Sequence, residues 1–286
     1  IESAILSTKI INLIGKKNSI NADIFIKKLK ANKLKKNEVC LTFDDALKCQ
    51  FDVIYPELEK RKLKAFFFVY SAAFSDNPPP LEFFRDFRLN FFNDVDEYYD
   101  LFFNTVRRLY RDQYDLFLKK YPVDYLSAFP FYTENDKKYR FMRDKVLKEQ
   151  YFDLVFAMME GKKYSQSERT HQLFMSVDNI KTLHNSGHTI GLHSHSHPTQ
   201  IDNLSYESQL EEYKKNYDFI SSITQEKINV MSHPCGNYND DTLKILKSLG
   251  VKVGFRSSLT PSNVKSSLEI PREDHANIIN QIKGKA

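Results

Sequence analysis

Two spacings of apolar residues alternate along the chain. Residues 37–43, Asn-Glu-Val-Cys-Leu-Thr-Phe, form a short β-prone run, and residues 47–63 then carry helical periodicity through Phe51, Ile54, Tyr55 and Leu58. Residues 65–70 are apolar throughout, the pattern of a parallel strand covered on both faces. Three prolines at 78–80 break the alternation, and residues 81–175 read as aromatic-rich helices with no strand among them. The alternation resumes with a helix near 176–186, Gly187 and a strand at 188–193. A polar helix at about 205–224, a strand at 229–232, a helix at about 239–249 stopped by Gly250, and a strand at 251–255 complete it. Strands separated by single helices pair in parallel through right-handed crossovers. The pattern therefore predicts an α/β domain made of residues 1–75 and 176–286, interrupted by a helical insertion at 76–175.

Composition narrows the classes of function. A chain of 286 residues with 41% hydrophobic content can bury a core, so disorder is not expected. Lysine and arginine exceed aspartate and glutamate by 42 to 37, and the resulting charge of +5 is spread along the chain, which argues against a nucleic-acid partner. The densest basic run, Lys27 to Lys36, lacks interleaved aromatic residues and reads as a solvated helix face. Cys40, Cys49 and Cys235 are an odd set without Cys-x-x-Cys spacing, so a disulfide framework is not expected and a reducing, cytoplasmic compartment is. No run approaches the ~18 apolar residues of a membrane span, so no stable membrane insertion is expected. Residues 1–14 lack the charged start and small-residue cleavage site of a secretory signal.

Three clusters stand at the C-terminal ends of predicted strands, where α/β enzymes place their sites. Asp44-Asp45 follows the first strand. Two adjacent carboxylates there need a cation or an unusual pKa to coexist, although surface Asp-Asp pairs are common. His193-Ser194-His195-Ser196-His197-Pro198 places three of the chain's 8 histidines within five residues, a density that favours a divalent metal over core or capping roles. Spacing alone leaves open which two of the three would bind. Ser232-His233-Pro234-Cys235-Gly236-Asn237-Tyr238-Asn239 is a strand end running into a turn and a helix start; an ordinary Pro-Gly turn is the plain alternative.

Taken in this order, Thr-Phe-Asp-Asp, His-Ser-x-x-His-Pro and Pro-x-Gly-x-Tyr-Asn resemble the first three motifs of the polysaccharide deacetylases, carbohydrate esterase family four. The resemblance covers about residues 37–75 and 175–285. It implies a distorted, incomplete (β/α) barrel of about seven parallel strands. It also implies a hydrolase that removes an N-acyl, normally N-acetyl, group from an amino sugar, free, nucleotide-linked or polymeric, with the help of one divalent metal. Zinc is the expected ion, with cobalt, manganese or nickel as alternatives. Asp45, His193 and His197 would be its ligands, Asp44 the general base, and the backbone N–H of Cys235 an oxyanion donor. Two departures stand out: Ala46 replaces the glycine that usually follows the aspartates, and Ser232 replaces an arginine that orients the base. Arg272, in Ile270-Pro271-Arg272-Glu273-Asp274-His275, is the candidate to replace it through a charge-assisted pair with Asp44. The family's general acid is a late histidine, which points to His275, with His233 as the rival. A tryptophan motif of many relatives is absent, since the chain has no tryptophan. An N-deformylase and a catalytically inactive carbohydrate-binding protein on the same fold are the alternative readings. The insertion offers Phe83, Phe84, Phe87, Phe91, Phe92, Tyr98 and Tyr99 either as its own core or as a sugar-stacking lid, and an oligomer could form through it.

Overall fold

The computed structural model describes residues 18–127, 132–257, 264, 266–274, 277 and 278, with Asn12 and Gly15. The chain forms two compact units, Ile1–Pro79 with His171–Ala286, and Pro80–Thr170.

The first unit is built on a curled parallel sheet, a half-barrel whose strands lie in sequence order: β1 (Thr42–Phe43), β2 (Phe66–Val69), β3 (Thr189–Leu192), β4 (Val230–Ser232) and β5 (Val253–Phe255). Helix α1 (Ala22–Lys30) precedes the sheet, and α2 (Tyr55–Arg61), entered through a π-helical turn at Gln50–Ile54, joins β1 to β2. The second unit holds α3 (Leu81–Asn90), α4 (Val95–Leu109), α5 (Arg111–Lys120), α6 (Glu134–Phe141) and α7 (Gln150–Gly161). After α8 (Gln166–Leu173), α9 (Val177–Asn185) leads into β3, α10 (Tyr206–Thr224) links β3 to β4, and α11 (Asp240–Ser248) links β4 to β5.

The described residues contain five strands rather than about seven. At each edge a further parallel row is reduced to one bridge, Ser19 with Val39 and Ile270 with Phe255. The physical reasons are local. Pro271 has no N–H with which to continue the outer row, and the chain beyond Ser19 turns into α1 at Ala22.

Alternation along each strand divides the core into two layers. Phe66 and Phe68 face inward with Val230, Val253 and Phe255, and α1 adds Ala22 and Phe25 to that layer. Phe67 and Val69 face outward with Ile190, Leu192 and Met231, and the helices cover them. Gly191 is needed because Phe68 lies across it: a methyl group there would stand 2.6 Å from the Phe68 ring and 2.8 Å from Val230. All five strands run the same way, so the residues that follow them emerge on one rim.

The described residues of the second unit are mainly helical, and several of its aromatic residues form its core. Phe83, Phe87, Tyr98 and Tyr99 are buried. The Tyr139 and Tyr151 hydroxyls meet at 2.7 Å, and Arg88 lies over the Tyr139 ring. The lid reading of these rings is thus replaced by a packed aromatic interior for the buried members.

One buried histidine ties the sheet to its helices. His188 Nδ1 accepts the Ala65 N–H at 3.1 Å, its Nε2 faces Glu59 at 3.2 Å, and its ring stands edge-on to Phe67. Burial, and then Lys64, push it down to about 4 from an ordinary 6.5. The unfolded chain therefore takes up this proton first as pH falls, and stability declines between pH 6.5 and 4 by up to about 3 kcal/mol from this residue. In denaturant titrations across that interval, His188→Asn should show a correspondingly shallower slope of stability against pH; an unchanged slope would assign the acid sensitivity elsewhere.

Candidate metal and catalytic centre

The end of β1 turns abruptly. Asp45 and Ala46 have φ of +78° and +55°, a left-handed backbone that costs roughly 1–2 kcal/mol per non-glycine residue. Two hydrogen bonds hold the turn: Gln50 Nε2 donates to the Asp44 carbonyl at 2.6 Å, and the Met175 N–H donates to the Ala46 carbonyl at 2.9 Å. The turn separates two carboxylates that are neighbours in sequence, so each finds different company.

Asp44 meets Arg272. The guanidinium binds both carboxylate oxygens, Nη1 to Oδ1 at 2.8 Å and Nη2 to Oδ2 at 2.7 Å. Its other bonds go to Thr42 Oγ1 and Ser232 Oγ from the same two nitrogens and to the Arg256 carbonyl from Nε, so all five donors are used. Ser232 also donates to Asp44 Oδ2 at 3.1 Å. Burial would raise the Asp44 carboxyl, but Arg272 and then His193 hold it well below the ordinary carboxylate range.

Asp45 faces the histidines. Its Oδ1 lies 3.3 Å from His193 Nε2 and 3.4 Å from His197 Nε2, and these three ligand atoms all lie within 4.8 Å of one another. Asp44 Oδ2 is 3.8 Å from His193 Nε2. His193 Nδ1 donates to the Ser232 carbonyl at 2.8 Å, which leaves Nε2 as the atom turned to the carboxylates. Burial lowers the His193 pKa, but Asp44 and Asp45 more than offset it and draw the ring toward its charged form; His197 is shifted downward, by burial and then by His193. Two imidazoles and a carboxylate form the donor set of an open divalent site. The two distances from Asp45 to the imidazoles match this set, because ligand atoms at about 2.0–2.1 Å from a tetrahedral ion are about 3.3–3.4 Å apart.

The middle histidine points elsewhere: His195 Nδ1 bonds Ser71 Oγ at 2.8 Å. The 193–197 loop is clamped from α10 by residues that the sequence reading did not single out. Glu212 accepts the His195 and Ser196 N–H groups and the Ser196 hydroxyl, at 2.8–2.9 Å. One turn on, buried Asn216 accepts the His193 N–H and donates to the Val69 carbonyl, both at 2.9 Å. Asn216 did leave a trace in the sequence as a polar residue on the apolar stripe of Tyr213 and Ile220.

The third cluster forms the turn after β4. Cys235 and Gly236 both have positive φ, +53° and +74°, and the Cys235 side chain is exposed. Asn239 caps α11 in a capping box with Thr242. His233 is fully buried. Its Nε2 donates to the Leu268 carbonyl at 2.8 Å, and burial pushes it down to about 4, which keeps the ring neutral at physiological pH. His275 lies outside the described residues.

The profile described as polysaccharide deacetylase matches residues 31–87 and 142–254, more than half of the chain. Comparison with curated proteins finds no match. Among solved structures the chain is similar to a Streptococcus pyogenes deacetylase, PplD, in complex with acetate. That pair shares 17% identity with a TM-score of 0.51, over 92% of this chain and 78% of the other. It is also similar to the deacetylase domain of BpsB from Bordetella bronchiseptica, at 13% identity and a TM-score of 0.53, over 93% and 83% of the two chains. At these identities the likeness is one of fold.

The Asp44–Arg272 pair has a measurable energetic consequence. Removing the cation leaves a largely desolvated carboxylate, so Arg272→Ala should destabilise the protein at pH 7 by about 2–4 kcal/mol, somewhat less than for a fully buried pair. Because the pair lowers the Asp44 pKa, its contribution is present above the unfolded value of 3.8 and is lost as pH falls below it. Guanidinium titrations at neutral pH and near pH 3 should therefore show the gap between parent and variant closing; an equal gap at both would mean that Arg272 acts by packing alone.

Proposed function

The chain belongs to the polysaccharide deacetylase family, and from that membership we propose that it is a metal-dependent hydrolase that removes an N-acetyl group from an amino sugar of a polysaccharide or glycan. The observation that carries the reading is the convergence of Asp45, His193 and His197 within ligand distance of one another, with the Asp44 carboxylate beside them. Asp45, His193 and His197 hold the ion, zinc by the character of the donor set. When bound, such an ion lowers the pKa of a water molecule toward ~7 and polarises an amide carbonyl.

The chain's own groups do the rest. Asp44 is the proton acceptor for the attacking water, and Arg272 keeps that carboxylate ionised and fixes its plane by two parallel hydrogen bonds. Arg272 thereby supplies what Ser232 cannot. Ser232 still contributes, through its carbonyl to His193 and its hydroxyl to Asp44. The Cys235 N–H donates to the carbonyl oxygen as charge develops there; the support is its place in a left-handed turn directly after β4, the strand whose last residue bonds Asp44. Protonation of the leaving amine falls to His275, three residues beyond Arg272. His233 is set aside for that role because its Nε2–H is committed to Leu268 and its pKa is too low for it to carry a proton at neutral pH. The substrate is a carbohydrate bearing the N-acyl group, and N-formyl sugars would undergo the same attack.

Neighbouring aspartates with different roles should fail differently. Asp45→Ala should lose metal and activity together. Asp44→Asn keeps the shape of the side chain but cannot take a proton, so metal should stay bound while turnover falls on the order of 10² to 10⁴. The paired measurement is metal content by elemental analysis and acetate release from N-acetylglucosamine oligomers and nucleotide sugars. Full activity in Asp44→Asn, or loss of its metal, would overturn the division of labour. A metal-loaded parent inert toward N-acetyl and N-formyl substrates alike would favour a binding protein on this fold.

A further inference from the structure

Arg272 reaches Asp44 from the far edge of the sheet, on a segment with a single bridge to β5. Something must fix the height of that segment, since Arg272 uses all five donors at once and a small slide would break several bonds together. Two observations converge on one carbonyl, that of Leu268, and a third on the residue after it. His233 Nε2 donates to it at 2.8 Å from the buried end of β4. Gly254, on β5, lies under it, so that a methyl group there would stand 2.5 Å from the same oxygen. The next residue is gripped as well: Tyr238, whose ring stacks on His233 with centroids 4.4 Å apart, donates its hydroxyl to Glu269 at 3.0 Å. His233 and Tyr238 flank the Pro234-Cys235-Gly236 turn, so one stacked pair spans the proposed oxyanion donor and holds the two residues that lead to Arg272.

We propose that His233, stacked on Tyr238, is a positioning residue that latches the 268–272 segment onto the turn after β4 and so sets Arg272 against Asp44. The assignment rests on the proposed role of Asp44 as base. It gives the buried histidine a function that involves no proton transfer, in agreement with its burial and its single committed donor. It also makes the glycine at 254 a requirement of the site, because a side chain there would push the Leu268 carbonyl away from His233.

The test separates the latch from the chemistry. His233→Phe keeps a ring to stack on Tyr238 and removes the donor; His233→Gln retains a side-chain N–H to offer to Leu268. In His233→Phe, amide exchange at Ile270, whose N–H bonds the Gly254 carbonyl, should accelerate about tenfold or more, and the Arg272 Nε–H resonance should move, while the His193 amide, held by Asn216, keeps its exchange rate. With N-acetylated substrate, kcat should fall by about 10- to 100-fold at little change in KM, the scale expected for misplacement of a reacting group by about an ångström, and His233→Gln should recover most of it. Metal content should match the parent. If His233→Phe does not fold, Gly254→Ala should give the same exchange and kinetic pattern. Unchanged Ile270 exchange and an unmoved Arg272 resonance would overturn the latch whatever the activity does, and a loosened segment with undiminished kcat would overturn its role in placing Arg272. A parent inactive on every N-acyl sugar would instead remove the functional reading, with the exchange data still deciding the latch.

Discussion

Two carboxylates on consecutive residues repel, and the end of a parallel strand draws both away from water. Most of the rim of this half-barrel can be understood as the answer to that constraint. Asp44 is paired with a guanidinium that grips both its oxygens, and Asp45 faces two imidazoles with which it could hold a divalent ion. The two solutions need different directions of approach, and the left-handed backbone at Asp45 and Ala46 provides them by turning the chain between the two side chains. Alanine at 46 carries a conformational cost that glycine would not, and its buried methyl group, packed in the outer core layer, partly offsets it.

Strand order gives the site its reach. Because β1 to β5 are adjacent in sequence order and parallel, each crossover helix carries the chain one position along the curl and returns it to the same rim. Residues 44, 193 and 232 then lie side by side although nearly 190 residues separate the first from the last, as the bond from Ser232 to Asp44 records. The crossover helices do more than cover the sheet. Glu212 and Asn216, four apart on α10, reach over the strand ends and hold the backbone of the histidine loop, so the helix that packs the outer layer also sets the geometry of the rim.

The cation beside Asp44 comes from a segment distant in the chain. Serine at 232 is too short to pair with Asp44 as an arginine would, and Arg272, 40 residues later in the chain, bonds the serine as well as the aspartate. Electrostatics requires a cation beside Asp44; it does not require that β4 supply it.

Much of this was legible in the chain. Uninterrupted apolar runs mark β2 as doubly covered, helical spacing marks α9 to α11, and the motif residues Asp44, Asp45, His193 and His197 stand at or just beyond predicted strand ends, because burial and turn chemistry are local properties that leave a local pattern. The family followed from the order of those motifs. Other features left almost no pattern. Glu212 reads as an ordinary residue of a polar helix, Asn216 shows only as a polar interruption of its apolar stripe, and the two edge rows of the sheet shrank to single bridges. Spacing left the three histidines between 193 and 197 equivalent and the family resemblance alone singled out His193 and His197; in the fold His195 turns to Ser71 while His193 and His197 face Asp45. Likewise His233 stood in the sequence as the rival of His275 for the general acid, and in three dimensions its Nε2–H is committed to the Leu268 carbonyl. The reason is the same in each case: residue type and spacing determine what a side chain can do, whereas partner and protonation state depend on groups 17 to 230 residues away that only the closed sheet brings within reach.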